Sequence, residues 1–264
     1  MGTSSTYQFY SEGFFGYGAE GDFVPWSLWH ILPLAVIAAA IFLVWRYRDA
    51  LRGWKGERGF RFFLAFVMML VEMSYFWRTL YVGDEWGTGS LLGKLPLQVC
   101  QWGLICAMYA LMSENDTLFG INFFVTNALT VPALFIPSVI VFTGPRYYRY
   151  YQFWMEHGLP LIAVYYMMFV HGKRPKYRHL WATVGLMVLL SIPCVAADCL
   201  IPGANYMFIG NFTDSSIQTV DPLAFLPHSL PLRYGILSAV VLALFHLLYG
   251  IERLIECRVK RKAV

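Results

Sequence analysis

The sequence predicts an all-α polytopic membrane protein with seven transmembrane helices, its N-terminus outside and its C-terminus cytoplasmic. Three observations predict this. First, seven apolar stretches are long enough to cross a bilayer, at about 27–45, 60–82, 95–112, 117–143, 153–171, 179–201 and 231–252. A bilayer core needs roughly 20 mostly apolar residues per helix. Second, the chain is 58% hydrophobic and only 14% charged, with a mean hydropathy of +0.53, which is membrane composition. Third, an outside N-terminus puts Arg46, Arg48, Arg52, Lys55, Arg58, Arg61, Lys173, Arg174, Lys176, Arg178, Arg253, Arg258, Lys260, Arg261 and Lys262 inside, 15 of the 20 Lys and Arg. Only Arg78, Lys94, Arg146, Arg149 and Arg233 remain at or near the outer side. Positive residues collect on cytoplasmic loops. The loop at 172–178 and the C-terminal tail must share a side, so the number of spans is odd.

The chain reads as a single membrane domain over 1–264. Residues 1–26 form an outer interfacial segment, 27–252 a seven-helix bundle with an outer loop at 202–230, and 253–264 a basic cytoplasmic tail. The first segment is not a signal peptide: it has no Lys or Arg before the first apolar run, and that run is long enough to span. Its aromatic residues, Tyr7, Phe9, Tyr10, Phe14, Phe15, Tyr17, Phe23 and Trp26, suit the membrane interface. The location is an integral, multi-pass membrane, the plasma membrane in a bacterium. The formal charge of +4 comes from the cytoplasmic loops and favours anionic headgroups. It carries no nucleic-acid signal.

The third span opens with Leu95-Pro96-Leu97, proline standing where a helix start tolerates it. The fourth holds Pro132 and Pro137, with Asn127 just before them. Proline removes a backbone donor and clashes with the preceding turn, which predicts a kink facing the bundle interior. Pro160 and Pro193 fall in the fifth and sixth spans. No internal or inverted repeat is present, which argues against a carrier. Asn211-Phe212-Thr213 is a glycosylation triplet in the outer loop. Cys100, Cys106, Cys194 and Cys199 sit inside spans and Cys257 on the tail, so they make no disulfide framework.

Ionisable residues inside spans mark function by default. Here they are His30, Glu72, Arg78, His157, Asp198 and His246. Counting 1.5 Å per residue from the span starts puts Cys100 and His157 roughly 6–9 Å below the outer boundary. His30, Arg78 and Asp198 share that slab, Glu72 lies deeper, and His246 is alone in an otherwise apolar inner half. A cysteine with a histidine in reach is the pattern of a thiolate nucleophile, and phospholipid ester carbonyls lie at this depth. Cys100 and His157 are therefore candidate catalytic residues, with His30, Asp198 and Glu72 in support. Arg78 is placed to hold a lipid phosphate, and Asn127, Asn205 and Tyr206 are further candidates for substrate binding. The packing alternative makes Cys100 an interhelical filler and gives His157 to a backbone carbonyl. A zinc site from His30, His157 and Asp198 lacks any ligand spacing to support it, so neither metal nor cofactor is expected.

These residues form an ordered series: Trp29-His30 opening the first span, Glu72 with Tyr75 and Trp77 in the second, and Leu95-Pro-Leu-Gln-Val-Cys100 opening the third. Phe153 through His157-Gly158 follows in the fifth, and Asn205-Tyr206-Met207 after the sixth. In order and spacing the chain resembles the YwaF-type integral membrane proteins and, through them, the animal transmembrane-protein-164 acyltransferases. That resemblance implies an enzyme that takes a fatty acyl chain from a phospholipid onto Cys100 and passes it to a lysophospholipid, with His157 as base. Its partners would be membrane phospholipids or lysophospholipids. The chain departs from the family pattern near the end of the outer loop, where Leu226-Pro227-His228 stands in place of a tryptophan-rich stretch. The alternative function is a non-catalytic binder or transporter of a small solute, with Glu72, Arg78, Asn127 and Asp198 lining an outward-facing polar pocket.

Overall fold

The computed structural model describes residues 13–18, 21–82, 95–137, 140, 143–201, 204–210, 212 and 221–262. Lys94, Tyr7, Phe9, Tyr10, Asn211 and Thr213 lie outside the described residues. Among those described, regular structure is entirely helical. The helices are α1 (Leu28–Arg46), short α2 (Arg48–Gly53), α3 (Glu57–Val82), α4 (Val99–Ser113), α5 (Asp116–Val125), α6 (Val131–Phe135), α7 (Tyr148–Phe169), α8 (Tyr177–Leu200) and α9 (Leu230–Lys262). Five helical stretches are long and apolar enough to cross a membrane: α1, α3, the continuous Asp116–Phe135 unit, α8 and α9. The protein is an all-helical integral membrane protein.

Two expected spans fall outside those five, for different reasons. The third shortens to 15 residues, because Leu95-Pro96-Leu97 forms a turn, with the Leu97 N–H donating to the Leu95 carbonyl at 2.7 Å. The residue before proline is driven away from helical geometry, so the helix starts at Val99. The fifth lengthens to 22 residues, starting at Tyr148 rather than 153, and takes in Arg149, Gln152 and Glu156. These polar residues lower its hydropathy, yet they are buried. Helix α7 packs against α1, α3, α4, α5 and α6, so other helices surround the polar face that a lipid could not solvate.

The fourth span is irregular, but not as a simple proline kink. A π-helical turn, Thr126–Thr130, joins α5 to α6. It widens the helix just before Pro132, whose ring would otherwise meet the carbonyl one turn back. The helix ends at Phe135, two residues before Pro137, not at 143.

Helix ends gather on two faces. On one, Arg61 donates to Glu57 at 2.8 Å, to Glu114 at 2.6 Å and to the Leu111 carbonyl at 2.5 Å. His171 meets Glu57 at 2.7 Å, Lys173 meets Asp116 at 2.5 Å, and Arg174 meets Glu252 at 2.8 Å. These ties hold the start of α3, the α4–α5 corner, the end of α7 and the C-terminal part of α9 together. On the opposite face, Arg233 donates to the Phe208 carbonyl at 2.9 Å and to Asp221 at 2.7 Å, and Arg78 and Tyr148 secure the N-terminal segment described below. The bundle between the faces is not purely apolar: Asn122, Thr126 and Thr183, which sit within apolar runs, are buried.

Candidate functional site

The site grows from one face of α7. Arg149, Gln152 and Glu156 are spaced three and four residues apart, so a helix stacks them on one side. Arg149 donates to the Glu156 carboxylate at 3.1 Å and also to Gln152, whose amide donates to Glu156 at 2.9 Å. All three are buried, Glu156 with 3% of its surface exposed. The Arg149 guanidinium lies over the Tyr75 ring of α3 at 4.4 Å, a cation–π contact strengthened by desolvation.

Helix α4 brings Cys100 to this cluster. Gln98 caps the helix: its N–H donates to the Gln101 side-chain oxygen at 3.1 Å. The Gln101 amide in turn donates to the Glu72 carboxylate of α3 at 2.8 Å. Cys100, half-buried in the first turn, lies in the field of Glu156, Glu72 and Arg149. The other Glu72 oxygen is buried without a hydrogen-bond partner. Glu72 is near enough to Glu156 and Arg149 to act on both electrostatically.

His157 follows Glu156 directly and is 4% exposed. Its Nδ1 bonds the Phe153 carbonyl at 2.8 Å. A carbonyl only accepts, so the ring hydrogen sits on Nδ1 and Nε2 carries the lone pair. The Phe153 ring stacks beside the imidazole at 4.2 Å. Glu156 lies close enough to His157 to act on it electrostatically, but among the described residues no hydrogen bond joins His157 to Cys100.

His30 carries the opposite tautomer. The Trp26 N–H donates to its Nδ1 at 2.8 Å, so its Nε2 donates to the Leu134 carbonyl at 2.8 Å. Nε2 thus ties α1 to α6 while Nδ1 holds the chain just before α1, so both nitrogens are engaged and His30 is not a hydrogen-bond partner of His157. Asp198, fully buried, accepts from the Tyr206 N–H at 2.8 Å through one oxygen, while the other has no partner. Among the described residues no hydrogen bond joins it to His157. His30, His157 and Asp198 thus do not converge on one point, and among the described residues no group of three such side chains could hold a metal.

The remaining candidates sort into two layers. Asn205 and Tyr206 fasten the outer segment onto the start of α4. The Leu95 N–H donates to the Tyr206 hydroxyl at 2.8 Å, Gln98 donates to the Asn205 carbonyl at 3.3 Å, and the Met207 N–H donates to Gln98 at 3.2 Å. Arg78 donates to the carbonyls of Phe15 and Gly16 at 2.7 and 2.9 Å. It holds the N-terminal segment over the site, with two of its donors already engaged. The Tyr148 N–H adds a bond to the Phe14 carbonyl at 2.7 Å. Asn127, in the π-helical turn, meets Tyr165 of α7, which lies about eight residues, roughly 12 Å, beyond His157 along that helix. The Asn127 amide donates to the Phe123 carbonyl, and its side-chain oxygen accepts from Tyr165 at 3.1 Å.

Glu156, Arg149, Gln152 and Gln101 are the site residues that the span-by-span reading passes over. The signal was present: Arg149, Gln152 and Glu156 recur on one helical face across a stretch read partly as loop. No curated protein and no solved structure matches the chain. A family does, over residues 25–249, and this range takes in every residue of the site from Glu72 to His157: the chain belongs to the TMEM164 family.

Proposed function

We propose that this protein is a membrane-embedded acyltransferase that moves a fatty acyl chain between lipids through a thioester on Cys100. The observation that carries the reading is Cys100 in the first turn of α4, a helix packed against α7, in the field of Glu156 and Arg149 of the buried α7 cluster. In the first half-reaction the sulfur attacks a phospholipid ester carbonyl. The C–S bond forms, the ester C–O bond breaks and a lysophospholipid leaves. In the second, an acceptor hydroxyl attacks the thioester and frees the thiol. The Val99 and Cys100 N–H groups, in the first turn, have no intrahelical acceptor. They are the donors we assign to the oxyanion. His157, with its lone pair on Nε2, supplies proton transfer.

The reading includes seven crossings with the N-terminus outside, α4 and α7 completing the five apolar spans, in the plasma membrane of a bacterial cell. Burial of α7 within the bundle supports the sixth and seventh crossings, and the collection of Arg and Lys on one face supports the orientation. A solute carrier fits less well, because the deeper polar groups satisfy one another: Thr126 donates to Asn122 at 2.8 Å and Tyr165 to Asn127.

The test uses purified protein in lipid nanodiscs with a phospholipid bearing a fluorescent acyl chain and a lysophospholipid acceptor. The expected result is a hydroxylamine-labile acyl adduct mapped to Cys100 and label appearing in the acceptor lipid. Transfer without any thiol-linked adduct would overturn the mechanism.

A further inference from the structure

Two glutamines flank Cys100, and they reach to different partners. Gln101 ties the first turn of α4 to Glu72 of α3. Gln98 ties it to the outer segment 204–210. Its carboxamide bridges the peptide groups on either side of Tyr206: Nε2 donates to the Asn205 carbonyl at 3.3 Å, and Oε1 accepts the Met207 N–H at 3.2 Å. The Tyr206 hydroxyl accepts the Leu95 N–H at 2.8 Å, and the Tyr206 N–H donates to Asp198 of α8 at 2.8 Å. Met207 and Phe208 follow at φ of 55° and 56°, a left-handed conformation uncommon for residues with side chains. Such backbone persists only where its surroundings over-determine it. Here the surroundings are Gln98, Asp198 and Arg233 of α9, which donates to the Phe208 carbonyl at 2.9 Å. Asn205 closes the segment on itself, its side-chain oxygen accepting the Gly210 N–H at 3.0 Å. The segment is thus a strap anchored on α8 and α9 that grips the start of α4 through Gln98 and Leu95.

Resting on the acyl-transfer reading above, we infer that Gln98 is a positioning residue for the reaction. Its carboxamide fixes the first turn of α4, and with it the Cys100 sulfur and the Val99 and Cys100 N–H donors, against the outer strap. Nucleophile and oxyanion donors all belong to the turn that Gln98 opens, so they shift together when that turn shifts. A misplacement of about 1 Å can cost about 100-fold in rate. The cap bond to Gln101 uses the Gln98 main chain, so the side chain serves the strap and not the cap. The same sulfur and the same N–H groups act when the thioester forms and when it is discharged, so Gln98 supports both half-reactions. Both polar atoms of its carboxamide are engaged with the strap. It therefore governs rate rather than lipid affinity.

Gln98→Met keeps the length of the side chain and removes both bonds to the strap, while the main-chain cap stays. Single-turnover acylation in nanodiscs with the fluorescent phospholipid separates the rate constant of thioester formation from its amplitude. A merely structural role lowers the amplitude, because fewer molecules are competent, and leaves the rate constant unchanged. The expected result is a rate constant about 10- to 100-fold lower at saturating phospholipid, with amplitude and half-saturating phospholipid fraction at wild-type values. Discharge to added lysophospholipid should slow by a similar factor. Tyr206→Phe removes the acceptor of the Leu95 N–H on the same strap and should act in the same direction. It carries the test if Gln98→Met does not fold. A wild-type rate constant in folded Gln98→Met, or in Tyr206→Phe where it stands in, overturns the proposal whatever the amplitude. So does a raised half-saturating phospholipid fraction with an unchanged saturating rate, which would make Gln98 a lipid contact. If the wild-type protein forms no acyl adduct at all, the acyl-transfer reading itself fails, an outcome distinct from these.

Discussion

Gln101 of α4 donates to Glu72 of α3 at 2.8 Å, and the same side chain accepts the Gln98 N–H that starts its own helix. One amide therefore fixes both where α4 begins and which way it faces α3. Cys100, one residue earlier, inherits its position from that bond. Gln101→Leu would leave a buried carboxylate with neither oxygen paired and the cap undone. A lost partner for a buried charged group costs about 1–3 kcal/mol or more. Thermal unfolding in detergent should fall accordingly, and the double variant Gln101→Leu/Glu72→Leu should recover part of the loss. A double variant no more stable than the single one would show that the pair does not act as a unit.

Cys100→Ser nearly preserves volume but replaces the nucleophile. Lipid-to-lipid acyl transfer should drop by at least about 1000-fold, as loss of a nucleophile usually does. Melting temperature and yield should stay at wild-type values. Near wild-type transfer by the serine variant would rule out a thioester.

His30 offers the contrasting case. Its two nitrogens satisfy the Trp26 N–H and the Leu134 carbonyl, and it is fully buried. His30→Phe fills the space but leaves both backbone groups unpaired, at about 1–3 kcal/mol each. The variant should be less stable, while the fraction that remains folded transfers acyl chains at the normal rate. A stable but inactive His30→Phe would instead put this histidine in the reaction.

Arg78 separates a clasp from a lipid-phosphate site. Its bonds to the Phe15 and Gly16 carbonyls predict that Arg78→Gln exposes the 13–18 segment to limited proteolysis. The apparent KM for the phospholipid donor should change little. A large rise in that KM with the proteolytic pattern unchanged would restore the phosphate-holding role.

The sequence by itself determined that this is a helical membrane protein. Apolar runs of about 20 residues need no partner to declare themselves, and clustered Arg and Lys are read directly. It also put Cys100 near the start of its helix, as found; His157, expected near a span start, lies near the middle of α7 because that helix begins at Tyr148. What only the tertiary structure decided is which side chains meet. Hydropathy averages over a window and so discounts a polar face that other helices will cover. For that reason the expected span starts at 153 where α7 starts at Tyr148, and the buried face of Arg149, Gln152 and Glu156 does not stand out in the sequence. Likewise, an ionisable residue in a span announces a buried partner without naming it. His30 and Asp198 spend their bonds on the backbone of distant segments, Arg78 on an N-terminal strap, and Glu72 on an amide of the next helix. Those pairings join residues far apart in the chain, and only helix packing brings them within hydrogen-bonding distance.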